Sequence, residues 1–197
     1  SILGVGVSCK SAVRIGKNCQ INDYVTIEKA IIDNNVSIGH HTVIGKAGFG
    51  FETKEEHILK VPHLGRVLIG SESIIGANCC IDRGTLQDTR IAEQVMIDNF
   101  VHISHNVQID KKTFILAQVG IAGSTVVKEN CIIGGQVGIA DHIEIAANTV
   151  ILSHSGVTKT ITTADAYVGF PAKVSKKFWR EQAKLGQLAK IPNKDKD

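Results

Sequence analysis

The stretch that decides the fold runs from Ile91 to Val157, and it is read six residues at a time: Ile91, Ile97, Ile103, Ile109, Ile115, Ile121, Val127, Ile133, Ile139, Ile145, Ile151, Val157. Four residues after these stops comes a second ladder of small or β-branched residues: Val95, Val101, Val107, Thr113, Val119, Thr125, Cys131, Val137, Ile143, Thr149, Ser155. A period of six fits neither a helix near 3.6 nor an isolated amphipathic strand near two. It is the hexapeptide signature of a parallel β-helix, each hexad giving one short strand and one corner. Three hexads close a triangular coil, and coils stack ~4.8 Å apart, the spacing of paired strands. The aliphatic stop fills the triangle, and the small residue leaves room at its corner.

Working outward, Ile15, Ile21 and Ile27 keep the step of six, with Cys19 and Val25 as small partners. One residue is then missing before Ile32, Ile38 and Ile44, and a corner absorbs such a slip best, because sliding a strand turns its inward face outward. Leu3 and Cys9 form an imperfect opening pair. The repeat stops over 46–66, an excursion carrying Phe49 and Phe51, resumes at Ile69, Ile75 and Ile81, and breaks again over 83–90. Loops of the first one's length are usually functional or disordered. Three hexads per coil predict about seven coils and a prism roughly 35 Å tall. The division expected is a β-helix domain over 1–160 and a C-terminal extension over 161–197. Within the extension the pattern predicts a helix from Ser175 to Lys190, with Phe178, Gln182, Leu185 and Leu188-Ala189 on one stripe. Its other faces carry Lys176, Lys177, Arg180, Lys184 and Lys190, which read either as a solvated basic face over an oligomer contact or as a docking surface for an acidic partner such as a carrier protein. A disordered tail is expected over 192–197.

Composition agrees with a narrow interior: aromatics are 5% and hydrophobics 43% of 197 residues, with 19 glycines. No apolar run approaches the ~20 residues of a membrane span, and the N-terminus lacks the pattern of a secretory signal. Of five cysteines, Cys19, Cys79 and Cys131 fall on small inward positions, where a thiol acts as a small hydrophobe. Reduced thiols and a cytoplasmic location are therefore expected. A net charge of +3 is too mild to imply a nucleic-acid partner.

A filled interior puts any site on the outside, where a neighbouring prism supplies the second wall. His105, at a corner, is the first candidate, with Asp98 and Asn99 upstream. Gly123 follows one full coil later, and His142 a further coil on, displaced by one residue. That places the Gly123 N–H about one strand spacing from His105, and His142 within roughly 10 Å. An imidazole beside a glycine N–H fits acyl transfer: the imidazole takes a proton from an attacking amine, and the N–H stabilises the oxyanion. The plain alternative is a solvated corner histidine. Cys80 lies off the inward ladder with no adjacent base, so it is read as packing, and the glycines follow the corner rhythm rather than forming a phosphate loop.

Gly48-Phe49-Gly50-Phe51, Val61-Pro62-His63-Leu64-Gly65-Arg66-Val67, Ile75-Gly76-Ala77-Asn78, Ile81-Asp82-Arg83-Gly84, Ile97-Asp98-Asn99 and His105-Asn106 resemble the UDP-3-O-(3-hydroxyacyl)glucosamine N-acyltransferase family of lipid A biosynthesis. The resemblance runs from about Ile15 to about Trp179. It implies a homotrimer of left-handed parallel β-helices with active sites between subunits, a hand opposite to the usual crossover rule that spacing does not reveal. It assigns the general base to His105, the oxyanion N–H to Gly123, a second active-site histidine to His142, and the sugar-acceptor region to Asp98 with Asn99. The co-substrate implied is an acyl-carrier protein or coenzyme A thioester and the acceptor a nucleotide-linked amino sugar, with no bound cofactor or metal. One departure is that family members carry an N-terminal uridine-gripping domain, whereas almost nothing precedes Ile15 here. Three other readings remain: an acetyl- or short-acyl-CoA-dependent N-acyltransferase for surface polysaccharide, a γ-type carbonic anhydrase-like zinc lyase using His102, His105 and His142, and an inactive scaffold.

Overall fold

The computed structural model describes residues 1–188. Its short parallel strands stack into the three faces of a left-handed β-helix. Face 1 contains Ile74–Ile75, Met96–Ile97, Phe114–Ile115 and Ile132–Ile133, face 2 contains Cys80–Arg83, His102–Ile103, Gly120–Ile121 and Gly138–Ile139, and face 3 contains Thr89–Ile91, Gln108–Ile109, Val126–Val127 and Glu144–Ile145. Stop pairs with stop at each level, as in Ile97 with Ile115 and Ile103 with Ile121. All twelve stops of the long ladder are at most 4% exposed, and the small-residue ladder is buried with them except for a half-buried Ile143. Hydroxyls on that ladder are tolerated because each finds a corner carbonyl: Thr125 Oγ1 donates to Ala140 at 2.8 Å and Thr149 Oγ1 to Ala146 at 2.7 Å.

The corners share one conformation. From Gln94 to His154 every sixth residue, three beyond a stop, has φ between 54° and 62°. Left-handed backbone is unfavourable for ordinary L-residues, yet Phe100, Lys112 and Gln118 adopt it here. Except at Asn106, the N–H of each left-handed residue from Gln94 to His154 compensates by donating to a corner carbonyl one coil earlier, as Ser124 does to His105 O at 3.0 Å and His142 to Gly123 O at 3.1 Å. The missing residue after Ile27 is lost at such a corner. Lys29 turns two residues beyond the stop rather than three, and Ala30–Ile32 still pairs in register with Val13–Ile15 and Val67–Ile69.

The coil count exceeds the seven that hexad counting predicts: face 1 has nine parallel strands among the described residues. The difference lies at the ends. Ile2–Leu3 and Ser8–Cys9 are true strands, though exposed, and beyond Val157 the chain adds Ile161, bridged to Ile145, and Ala166–Val168, paired with Val150 and Ile151. Lys173–Val174 then turns back antiparallel and leads into the helix Ser175–Leu188, where Phe178 meets Gly169 while Trp179 and Leu185 remain exposed. The last expected turn of that helix, at 189–190, and the tail lie outside the described residues. Among the described residues no helix is long and apolar enough to cross a membrane.

Both excursions leave from one edge of the prism, the corner between faces 2 and 3. The first contains an antiparallel hairpin of Phe51–Lys54 and His57–Lys60, and its return passes over the second through Leu64 N–H to Thr85 O at 2.6 Å and an Arg66–Asp88 ion pair at 2.9 Å.

Replacing Ile115, 1% exposed, by Asp buries a carboxylate without a partner and is expected to cost more than ~4 kcal/mol. The same change at the exposed corner residue Lys112 is expected to be nearly silent; denaturant melts of the two variants check the register, and equal stabilities would refute it.

Candidate active site

The edge between faces 2 and 3 stacks His105, Gly123 and Asp141 in one column and Asn106, Ser124 and His142 in the next, because each coil is eighteen residues. His105 is half-buried and lies where a side chain at 123 would be: a β-carbon on Gly123 would meet its Cε1 at 2.7 Å and Nε2 at 2.9 Å. Gly48 closes the opposite side, with a β-carbon there 3.0 Å from His105 Cδ2. Only glycines on both sides let the ring sit between two strands of backbone.

The ring's tautomer follows from its neighbours. Asn106 Oδ1 accepts the Thr85 backbone N–H at 3.1 Å and the Thr85 hydroxyl at 2.9 Å, which identifies it as the carbonyl end of the amide. The same oxygen lies 3.1 Å from His105 Nδ1, so neutral His105 carries its hydrogen on Nδ1 and leaves Nε2 bare. Asn106 is in turn held by its own N–H, donated to Thr89 Oγ1 at 2.9 Å. The excursion over 83–90 thus supplies the residues that hold the orienting amide.

The Gly123 N–H is free for a related reason. At three other corners the second residue after a stop is capped by the side chain one coil above: Val5 N–H donates to Asp23, Lys17 N–H to Asn34 and Ala77 N–H to Asn99, all at 2.7–2.8 Å. Above Gly123 stands Asp141, whose carboxylate is instead 2.9 Å from His142 Nδ1. That hydrogen bond holds the Asp141 carboxyl below its ordinary range. Among the described residues no acceptor takes the Gly123 N–H.

Asp98 and Asn99 stand elsewhere, on the edge between faces 1 and 2. Asp98 Oδ1 accepts the Asn99 N–H at 2.7 Å while Asn99 caps Ala77. Within one chain the structure therefore brings together His105, Gly123 and His142 but leaves Asp98 and Asn99 on another edge. His102 projects from its strand toward the buried Asp82, 3.7 Å away, and not toward His105 and His142. The only trio of metal-capable side chains that converges among the described residues is Cys80, Asp82 and His102. There the Lys46 ammonium already sits 2.6 Å from Asp82, and burial pushes the Cys80 thiol up, so it is no activated nucleophile.

Two residues escape a reading by pattern. Asn106 is one; a corner Asn is common, and its role appears only with Thr85 in place. His63 is the other, in the return of the long excursion. It is 2% exposed with its ring 5.1 Å from that of His105 at 67°.

Beside the site, face 2 offers an apolar groove of about 420 Å³ running from His102 and Ser104 over Gly120 and Gly138 to Gly156 and Phe170. A β-carbon at 120 or 138 would meet nothing, whereas at 156 it would strike the Phe170 ring, so the groove has a glycine floor and an aromatic end.

A model of bacterial transferase hexapeptides (six repeats) matches residues 12–46. Among solved structures, UDP-N-acetylglucosamine acyltransferase from Campylobacter jejuni aligns with 99% of this chain and 81% of its own at a TM-score of 0.75 and 18% identity. The Arabidopsis enzyme of that name covers 92% and 73% at 0.72 and 21%. These likenesses show the fold, and with the repeat match they make the chain a hexapeptide-repeat β-helix. Among curated sequences, UDP-3-O-acylglucosamine N-acyltransferase of Caulobacter vibrioides is 44% identical over 171 residues, 87% of this chain and 50% of the relative. UDP-3-O-acylglucosamine N-acyltransferase 2 of Legionella pneumophila (strain Paris) is 46% identical over 165 residues, 84% and 48%. Over most of its length the chain is therefore homologous to the UDP-3-O-acylglucosamine N-acyltransferases, as its motifs imply. It spans about half the length of the curated relatives it matches.

In imidazole ¹⁵N spectra, neutral His105 is expected to show a protonated Nδ1. Asn106→Ala is expected to mix the two tautomers and to cost about 1–3 kcal/mol by stranding the Thr85 N–H. A wild type protonated at Nε2 would overturn this account of the site.

Proposed function

We propose that this chain is the acyl-transfer part of an N-acyltransferase that moves a 3-hydroxyacyl group from a carrier thioester to the amine of UDP-3-O-acylglucosamine in lipid A biosynthesis. The observation that carries the reading is the His105 ring, fixed by Asn106 with Nε2 bare, packed against Gly123, whose N–H has no partner among the described residues. Homology to enzymes of that name supports the substrate class.

In this mechanism the sugar amine attacks the thioester carbonyl carbon while His105 Nε2 removes an amine proton. The carbonyl electron pair moves onto oxygen, and the Gly123 N–H binds the oxyanion. When the tetrahedral intermediate collapses, the C–S bond breaks and the imidazolium returns the proton to the departing thiolate, leaving amide and free thiol. No covalent enzyme intermediate forms. His142, oriented by Asp141, contacts the substrate beside this centre. The groove over Gly120 and Gly138 takes the acyl chain, and its length favours a long chain over acetyl.

A homotrimer completes the site. On face 1 the outward column Ile74, Met96, Phe114, Ile132 and Val150 is apolar, with Ile74, Phe114 and Ile132 43–50% exposed. Contiguous apolar surface of this kind marks an interface, and a second copy is the occupant for it. Asp98 and Asn99, on the edge beside that column, then serve the acceptor in a site shared between copies. The carrier is an acyl-carrier protein or coenzyme A, and the setting is the cytoplasm.

Mass spectrometry of products from a panel of acyl thioesters and nucleotide amino sugars tests the reading, which exclusive use of acetyl-CoA would overturn. His105→Ala is expected to lower turnover by about 10²–10⁴-fold and to abolish the acidic limb of the pH profile, with His142→Ala costing less; near-normal turnover without His105 would remove the base. Light scattering at micromolar concentration is expected to give three chains per particle, and a fully active monomer would sink the shared site.

A further inference from the structure

The acyl-transfer mechanism leaves His63 without a task. Its Nδ1 lies 3.0 Å from the Val61 carbonyl oxygen, which can only accept, so Nδ1 bears the hydrogen and Nε2 the lone pair. That Nε2 is the one buried side-chain polar atom with no hydrogen-bond partner among the described residues. Buried acceptors are nearly always partnered in native folds, and an exception asks for a physical explanation.

The surroundings show where the lone pair is placed. A β-carbon on Gly48 would lie 3.0 Å from both His63 Nε2 and His105 Cδ2, so the two ring edges share the small space that this glycine closes. Gly50 fits as tightly on the other side, with a β-carbon there 2.7 Å from His63 Cε1. Behind the ring, Arg83 Nε donates to the His63 carbonyl at 2.9 Å and holds its backbone. His63 cannot turn away from His105 without breaking the Val61 bond and displacing the Gly48–Gly50 segment.

We propose that His63 is a positioning residue whose unpaired Nε2 stabilises the imidazolium that His105 becomes when it takes a proton. The proposal rests on the acyl-transfer reading for its consequence in turnover, but the contact between the rings stands without it. A neutral imidazole is a dipole with its negative end at the bare nitrogen. The hydrogens on a ring edge are positively polarised and become more so on protonation. A dipole fixed before the charge appears needs no reorganisation when it does, which is how preorganised groups lower a barrier.

His63 must stay neutral for this, and its setting keeps it so. Burial lowers its pKa below the ordinary value, opposed by the bond to Val61; among charged neighbours, His105 and Arg83 lower it further and Asp82 raises it. A histidine lowered in the folded state is favourable when neutral. The associated stability is fully present above the unfolded value near 6.5 and falls as pH drops through that value toward the folded one. Protonated His63 would repel His105, so the effect is also lost in acid.

The test uses His63→Phe, which keeps an aromatic edge but removes the acceptor, and His63→Gln, which restores an acceptor oxygen. In the full chain, NMR titration of His105 is expected to move to lower pH by about half a pH unit or more in His63→Phe and back toward wild type in His63→Gln. The kcat is expected to fall roughly threefold to tenfold with KM unchanged, and the acidic limb to shift with the titration. An unchanged His105 titration in folded His63→Phe overturns the proposal. If that variant does not fold, His63→Leu against His63→Gln makes the same comparison, with the same outcome refuting it. The titration needs no substrate, so its failure is distinct from that of the acyl-transfer reading, which fails when the wild type makes no amide product.

Discussion

Everything in this molecule depends on the ladder of backbone hydrogen bonds between coils. For that ladder to remain in register, every coil must turn three corners and return to the same height, whatever length of chain a corner holds. The chain achieves this with a left-handed residue three positions after each stop, from Gln94 to His154 without interruption. The conformation is costly for Phe100 or Lys112 taken alone. It persists because each such residue donates its N–H to the coil before it, so the cost is shared by a structure that has no other way to close.

The same constraint decides where extra chain can go. A triangular interior filled by Ile and Val stops has no room for an inserted residue, and a slipped strand would expose its core face. Additions and deletions are therefore confined to corners, and three of them fall on the edge between faces 2 and 3: the short turn at Lys29 and the two excursions. The excursions are connected to each other through Leu64, Thr85, Arg66 and Asp88. Together they surround His105 with polar partners that a bare hexapeptide corner does not supply. Thr85 fixes Asn106, Asn106 fixes the His105 tautomer, and His63 is pressed against the same ring.

His105 and Gly123 were legible in the sequence because eighteen-residue spacing stacks them whatever the details of the corner. The free state of the Gly123 N–H was not. It depends on Asp141 turning to His142 rather than capping downward as Asp23, Asn34 and Asn99 do. Asp98 and Asn99 lie seven and six residues before His105, which conceals a change of edge, because one hexad is a third of a turn. The zinc-lyase reading has no support within the chain for a similar reason: His102 and His105 are close in sequence, but strand and corner point them to different partners.

By itself the sequence determined a three-faced parallel β-helix, since no other architecture requires an aliphatic residue at every sixth position with a small one four later, though its spacing did not reveal the hand. It also determined at which level of the outer edge His105 and Gly123 would meet. Only the tertiary structure decided the tautomer of His105, the orphan acceptor on His63, and the extra coils at either end. Periodicity encodes what repeats, so it specifies the scaffold. The orientation of a ring or the partner of a single N–H depends on side chains brought together by the two non-repeating excursions, and no spacing along the chain records those contacts.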